Sequence, residues 1–546
     1  MSSPSPRPPH IRRLPLLGAL RIGQPSAIWF KPALSVVAAV APPNLALVAL
    51  GHLDLAMYAM AGSLSALYAH HRPYAARARV LAAVVLGMLA GLAVALTAAS
   101  LTRNTAVLIA VGAILAAGQK VLCDATRIGP PGHVVLTFVS SASLFAPQTA
   151  GQIPGHLGIA AATGTWAWLV GMAPGLLRPY GPERRATAGA LNAAAAHAEG
   201  RGASSRAAGA AAVHAAWQSL RSSGARSAPR RGLERLVVRA EVALAAPADT
   251  DPARLRAWAR ALRGTGPVPH PDDLGPAIDE LHGIDAEFVG PRRPLSGRLR
   301  PLAPIAVRTA LGCGLAGYGS LALGVGRPYW ALVTAASLYQ ANLTLSWNRG
   351  VQRVLGNLLG VLLFAALVPL AHLGQVALVL CCVALSFAAE ALMGRNYWLG
   401  SVCVTPMALL VTEFSGIQQP GELMTDRVLD TLIGALLGFV AAVAVTNRRA
   451  GDRIEDALAT LDGAQQRAAV TMAAEYPAPG TLEAARRGLA AALVDLRDAT
   501  DTAAGEWRQR AALPQKRVLA AERSGHRTLA ATVRRQGLHM AEESTT

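Results

Sequence analysis

Apolar residues gather into two clusters of long, nearly uncharged stretches, 33–178 and 302–447, parted by an arginine-rich polar insert and followed by a polar tail. The first cluster holds about six stretches, at 33–50, 55–70, 80–99, 105–122, 132–146 and 157–177. The second holds a similar set, at 305–324, 328–345, 354–371, 374–393, 397–414 and 428–446. One crossing of a bilayer core takes about 20 residues of apolar helix, and backbone polar groups in lipid must be satisfied within that helix. The pattern predicts an all-α polytopic membrane protein of about twelve spans. In the polar regions apolar residues return at helical spacing, as in 454–461 and 482–496, with breaks at Pro229, Pro252, 267–271 and 477–480. The expected organisation is a basic N-terminus (1–32), a six-helix membrane repeat (33–178), a helical insert (179–301), a second membrane repeat (302–447) and a helical C-terminal region (448–546).

Loop charge sets the expected orientation. Arg7, Arg12, Arg13, Arg21, Lys31, Arg72, Arg77, Arg79, Lys120, Arg127, Arg178, Arg184 and Arg185 flank one set of loops in the first half, against Arg103 alone in the alternate set. In the second half Arg292, Arg293, Arg298, Arg300, Arg308, Arg349, Arg353, Arg395, Arg448, Arg449 and Arg453 face one side, and Arg327 and Arg427 the other. The positive-inside rule then places the N-terminus, the insert and the C-terminal region in the cytoplasm. Two like-oriented halves imply parallel repeats about an axis along the membrane normal. Short matches agree in order: 75–81 resembles 349–355, 63–68 resembles 335–339, and Lys31-Pro32-Ala33-Leu34 pairs with Arg308-Thr309-Ala310-Leu311. Pro42 and Pro43 should kink the first span unless a neighbouring helix covers the carbonyls they release.

Composition fits a membrane class, with 52% apolar and 15% charged residues. The net charge of +19 lies at stretch ends and in polar regions, where topology rather than nucleic acid accounts for it. The only lysines, Lys31, Lys120 and Lys516, sit in no GxxxxGK[ST] context, which excludes a P-loop ATPase. Cys123, Cys313, Cys381, Cys382 and Cys403 fall in or beside apolar stretches without metal-ligand spacing, so no zinc site, disulfide framework or other cofactor is expected. Segment 1–31 lacks a cleavable-signal pattern, and the first span is expected to act as an uncleaved anchor. No nucleophile, base and orienting group recur at a recognisable spacing, so no enzyme is expected.

The second half carries more specific motifs. Arg327-Pro328-Tyr329-Trp330-Ala331-Leu332 opens one stretch, and the run from Arg349 through Arg353, Gly356 and Asn357 to Gly360 opens the next. Asn396-Tyr397-Trp398, Thr405-Pro406 and Arg427-Val428-Leu429-Asp430-Thr431-Leu432-Ile433-Gly434 follow. Together these resemble the fusaric-acid-resistance (FUSC-like) integral membrane transporter family, related to bacterial aromatic acid exporters, and more distantly the plant aluminium-activated malate transporters. The motif-bearing stretch covers about 302–446. Asn357 stands where the family usually has Thr, and the first half has the apolar run 160–164 where the second has 430–434. The resemblance implies a transporter of the bacterial inner membrane that exports small organic anions, aromatic carboxylates among them.

Candidate chemistry follows from charge at helix ends. Lys31, Arg79, Arg308 and Arg353 could ring one pathway between the halves with positive charge, or serve only as anchors reaching toward headgroups. Arg427 and Asp430, spaced i, i+3, permit a local ion pair, with gating or substrate contact as the sharper alternative. Glu390, one turn before Arg395, is the candidate proton-coupling carboxylate. Gly356 and Gly360 form a GxxxG suited to close helix crossing, Thr405-Pro406 should open its helix locally, and Tyr329 and Trp330 suit interfacial anchoring. Two rivals to an exporter stay open: a passive anion channel, and a non-transporting scaffold whose helical regions bind partners. The bilayer and a small organic anion are the expected partners, with a homo-oligomer or an accessory periplasmic protein left open.

Overall fold

A computed structural model of the chain describes residues 16–23, 28–200, 202–223, 227–245, 247–269, 299, 302–340, 342–416, 418–445, 450–475, 478, 480–504 and 515–543. The expected basic positions Arg7, Arg12, Arg13, Arg292, Arg293, Arg298, Arg300, Arg448 and Arg449, and the breaks at Pro271 and Pro477, lie outside these residues. Among the described residues every regular element is helical. The chain divides into two units: Met1–His70 with Arg77–Pro174 and Arg293–Asn447, and His71–Ala76 with Gly175–Arg292 and Arg448–Thr546.

The first half contributes α1 (Phe30–Ala49), α2 (Ala56–Ser63), α3 (Tyr74–Leu101), α4 (Thr105–Ala125), α5 (Val134–Leu144) and α6 (Ile153–Met172). The insert forms α7 (Gly181–Gly200), α8 (Ala203–Ser222), α9 (Ala228–Ala245) and α10 (Pro252–Arg263). The second half contributes α11 (Ala303–Ala322), α12 (Pro328–Leu338), α13 (Leu343–Ala371), α14 (Gln375–Met393), α15 (Tyr397–Thr412) and α16 (Pro420–Ala444). The tail forms α17 (Ala450–Ala473), α18 (Thr481–Ala504) and α19 (Gln515–Glu543). Six of these helices, α1, α3, α4, α13, α14 and α16, are long and apolar enough to cross a membrane. The protein is an integral membrane protein.

Each expected stretch falls on a helix, but several extents differ. The stretch 328–345 is not one element: α12 stops at Leu338, Tyr339 turns extended, and the Asn342 side chain caps α13 by accepting from the Leu345 amide at 2.8 Å. All eleven residues of α12 are buried. At about 1.5 Å of rise per residue, α12 is far too short to cross a bilayer alone. The helix expected at 354–371 instead begins at Leu343, and that expected at 428–446 begins at Pro420. Arg349, Arg353 and Arg427 therefore lie inside helices rather than ahead of them. The stretch 55–70 is α2 followed by a 3₁₀ turn at Leu64–Leu67.

A neighbouring helix covers the carbonyl that Pro42 releases in α1. Pro42 has no amide hydrogen to give the Ala38 carbonyl, and the indole Nε1 of Trp166 on α6 donates to that oxygen at 2.9 Å instead.

The two membrane halves touch along matching pairs of helices. Val36 and Val40 of α1 share a core with Val379, Cys382 and Leu385 of α14, while Ala113 and Ala116 of α4 share one with Cys313 and Ala316 of α11. Helix α5 meets α12 and α15 meets α2. Direction can be read from side-chain pairs. A Cβ on Gly317 would meet Ile109 and one on Gly314 would meet Ala113, so α4 and α11 run antiparallel. Phe145 stacks on Tyr329 at 5.6 Å while the His133 ring lies 3.0 Å from the Ala336 carbonyl, so α5 and α12 run antiparallel too.

The polar unit is built from amphipathic helices. Leu233, Leu236, Val237 and Ala240 of α9 recur at one-turn spacing and bury against Leu191, Trp217 and Leu262. In the tail, Ile454 and Leu461 of α17 meet Leu489, Leu493 and Leu496 of α18 and Val518 of α19. Insert and tail are joined by an ion pair, Arg486 Nη2 to Glu241 Oε2 at 2.9 Å, buried on both sides.

Candidate functional site

Glycine at two positions one turn apart lets α13 and α15 approach until their backbones touch. A Cβ on Gly356 would sit 2.5 Å from that of Ser401 and 2.7 Å from the Trp398 carbonyl; one on Gly360 would sit 2.6 Å from the Thr405 Cβ. The expected GxxxG crossing is thus present, with α13 and α15 parallel. Helix α16 lies antiparallel on another side of α13, since Asn357 pairs with Thr431 and Trp347 with Phe439.

A column of buried polar side chains fills this three-helix junction. Asn357 Nδ2 donates to Thr431 Oγ1 at 2.8 Å, and Thr405 Oγ1 donates to Asn357 Oδ1 at 2.6 Å, so one amide joins α13, α15 and α16. One turn earlier on α13, Arg353 is 5% exposed and its Nη1 donates to the Tyr397 hydroxyl at 2.9 Å. The other guanidinium of that turn, Arg349, lies over the Tyr397 ring at 3.8 Å. One turn before Thr431 on α16 lies Arg427, 1% exposed, with Trp330 under its guanidinium at 5.2 Å. Arg353, Tyr329, Asp430 and Tyr397 lie within electrostatic range of that guanidinium.

The expected Arg427–Asp430 pair does not form as a hydrogen-bonded ion pair. Asp430 Oδ1 accepts from Ser320 Oγ of α11 at 2.5 Å, and Asp430 Oδ2, Arg427 Nε and Arg427 Nη1 have no hydrogen-bond partner among the described residues. Arg353 Nε and Trp330 Nε1 are likewise buried and without a hydrogen-bond partner. Such groups are rare because each retains its desolvation cost, and they commonly mark a place where water or a ligand binds. Arg327, by contrast, is satisfied: it pairs with Asp426 at 3.1 Å, donates to Gln418 and covers Trp330 at 5.3 Å. Two guanidiniums thus share one indole, which is fully buried rather than anchored at an interface.

The four cations expected around one rim have different surroundings. Arg353 enters the column just described. Arg308 is buried, but its Nε and Nη2 cap the C-terminal end of α16 by donating to the Val445 carbonyl at 3.0 and 2.7 Å. Arg79 is exposed and Lys31 half-buried. The buried arginine at the start of α3 is Arg77, which donates to the Ala69, His70 and Gly171 carbonyls. Glu390 is half-buried on α14, with no hydrogen bond or ion pair to another described residue. Pro328 is the first residue of α12, Pro406 lies inside α15, and Gly434 is where α16 closes on the Ala331 carbonyl.

Residues 19–23 lie across one end of this junction. Gln352 Nε2 and Asn396 Nδ2 both donate to the Ala19 carbonyl, at 2.6 and 3.1 Å, Trp398 Nε1 donates to the Leu20 carbonyl at 3.3 Å, and the Gly23 amide donates to Arg395 at 2.8 Å. Sequence reasoning assigned no role to Tyr397 or Ser320. Tyr397 stood in a quoted motif; Ser320 had no signal, because only the fold brings α11 against Asp430.

Residues 314–441 match the family model described as fusaric acid resistance protein-like. All of α12 to α15 and the Asp430–Thr431 turn fall inside that match, so the FUSC-like resemblance holds over the part of the chain that carries the column. A curated relative, the uncharacterized membrane protein YvaC of Bacillus subtilis (strain 168), is 30% identical over 193 residues, covering 34% of this chain and 29% of the relative. The chain thus spans less than a third of the length of the curated relative it matches. The similarity to plant aluminium-activated malate transporters is not shown. No solved structure matches.

Proposed function

Taking the FUSC-like match as premise, we propose that the chain is a bacterial inner-membrane exporter of small organic anions, aromatic carboxylates in particular. One observation carries the reading: Arg353 and Arg427, each at most 5% exposed, present guanidinium nitrogens without hydrogen-bond partners among the described residues, in a junction that offers Asp430 as nearby counter-charge. An uncompensated buried guanidinium is costly, and a carboxylate is its natural bidentate partner. Tyr329, Trp330 and Tyr397 supply flat apolar faces beside those charges.

The path is proposed to follow the contact between two parallel repeats. Supporting this, the first helix of each half packs on the fourth of the other, and the fifth of each on the second of the other. In a like-oriented pair, first and fourth helices run antiparallel, as do fifth and second. Helices α4 with α11 and α5 with α12 have that relation, which an inverted repeat would reverse. The reading keeps about twelve spans, the N-terminus and both polar regions in the cytoplasm, and Glu390 as the proton-coupling carboxylate. An oligomer or an accessory periplasmic protein is compatible with it.

The test is flux of radiolabelled benzoate from proteoliposomes. Saturable efflux by the wild type, lost by at least about tenfold in Arg353→Gln and Arg427→Gln proteins that insert normally, supports the reading. Undiminished efflux in both variants overturns the site. Efflux indifferent to an imposed proton gradient would make the chain a passive anion channel and remove Glu390 from the mechanism. Absence of any flux would leave the scaffold.

A further inference from the structure

The main chain of residues 19–23 crosses one end of the polar column, and the groups that hold it alternate with the groups proposed to meet the anion. This strap leaves the helical turn Leu16–Ala19 and gives only main-chain atoms to the contact. The carbonyl of buried Ala19 accepts from Gln352 Nε2 of α13 at 2.6 Å and from Asn396 Nδ2, ahead of α15, at 3.1 Å. Asn396 Nδ2 also donates to the Arg21 carbonyl at 2.9 Å, and Trp398 Nε1 to the Leu20 carbonyl at 3.3 Å. The Gly23 amide donates to the Arg395 carbonyl at 2.8 Å. Gln352 precedes Arg353 in sequence, and Asn396 and Trp398 flank Tyr397, whose hydroxyl accepts from Arg353. The strap therefore bridges α13 and α15, the two helices whose glycine crossing sets the column.

We infer that the strap is an autoinhibitory closure: seated, it bars the approach to Arg353, and its release opens the column to solute. The inference rests on the transport reading, in which this end faces the cytoplasm and is where an exporter takes up its anion. Three features suit a contact that releases. Fixing the backbone of a few residues costs conformational entropy on the scale of what as many hydrogen bonds return, so the strap is held without being locked. Gln352, Asn396 and Trp398 are half-buried, so water can take the place of the strap carbonyls. Asn396 Oδ1 accepts from the Trp398 amide at 3.3 Å, so α15 keeps its cap when the strap leaves.

The experiment compares initial benzoate efflux from proteoliposomes for full-length wild type and two variants. Gln352→Met with Asn396→Ser removes the donors to Ala19 and Arg21 from the junction side while keeping a capping hydroxyl on α15. Gly23→Pro removes the amide donor from the strap side and leaves every membrane helix unaltered. Both are expected to export about threefold faster than wild type or more, because release raises the open fraction. Adding Arg353→Gln to either is expected to abolish the gain, which separates opening of the column from leakage, and melting curves check folding. Wild-type flux that neither variant exceeds overturns the strap and leaves the transport reading standing. Absence of benzoate flux in all three proteins overturns both.

Discussion

Asn357 and Thr431 meet through a 2.8 Å hydrogen bond that ties α13 to α16, and the same amide accepts from Thr405 on α15. Replacing Asn357 with Leu removes both links at once. Thr405 and Thr431 fall back on the Ser401 and Arg427 carbonyls they already contact, which limits the damage. A loss of about 1–2 kcal/mol is expected, read as a lower melting temperature in detergent. Asn357→Thr, which retains a short hydroxyl, should lose less.

Tyr397 holds the Arg353 guanidinium through its hydroxyl. In Tyr397→Phe the arginine stays but its orientation is released. Benzoate efflux should show KM raised several-fold with the maximal rate little changed, a milder defect than that of Arg353→Gln. Equal defects would mean that the tyrosine acts on the anion itself.

Gly356 tests the close approach of α13 and α15. Gly356→Ala puts a methyl 2.5 Å from the Ser401 Cβ, so the helices must separate and the melting temperature should fall. Gly118→Ala, on α4 with nothing within 4 Å of the new methyl, should be neutral or stabilising by up to about 1 kcal/mol from helix propensity.

Trp166 covers the carbonyl that Pro42 releases. Trp166→Phe keeps an aromatic ring there and leaves that oxygen without its donor. About 0.5–1 kcal/mol of stability should be lost, and Pro42→Ala in the same chain should restore it by giving Ala38 a backbone partner.

His526 makes the polar unit acid-sensitive. Burial, then the charge of Arg206 and then His197, holds its imidazole down to about 4, against 6.5 for the exposed ring. Between those values the unfolded chain binds a proton that the folded one refuses, so stability is full above about pH 6.5 and declines as pH falls toward 4, by at most about 1.4 kcal/mol per pH unit. His526→Leu should flatten this part of a melting-temperature profile; an unchanged slope would assign the acid sensitivity elsewhere.

Much of this architecture was legible because lipid makes a coarse demand: long apolar runs became helices wherever they occurred. Extents were harder to read. Helix α12 is buried on all sides, so no periodicity marks where it ends, and the signal lay in Asn342 as a cap. The charges of Arg349 and Arg353 read as a loop boundary, yet both lie within α13, where Tyr397 receives them. Arg77 and Arg79 are indistinguishable as letters near a helix start. Two residues apart on a helix, they point about 200° away from each other, and the neighbours of α3 decided that Arg77 would be the buried one. Arg353, Asn357, Thr405, Arg427 and Asp430 all stood in the motifs, but their arrangement around one amide depends on two glycines and three helix directions.

The polar column belongs wholly to helices of the second half: Arg353, Asn357, Thr405, Arg427, Asp430 and Ser320 all lie between α11 and α16. A lopsided lining has a consequence for stereochemistry. A solute resting against it meets a different wall on its other flank, so its two ends and two faces are not interchangeable. Under the proposed function, an exporter lined in this way is expected to tell one isomer of a ring-substituted acid from another, a discrimination that a rim of identical contacts on both sides would blur.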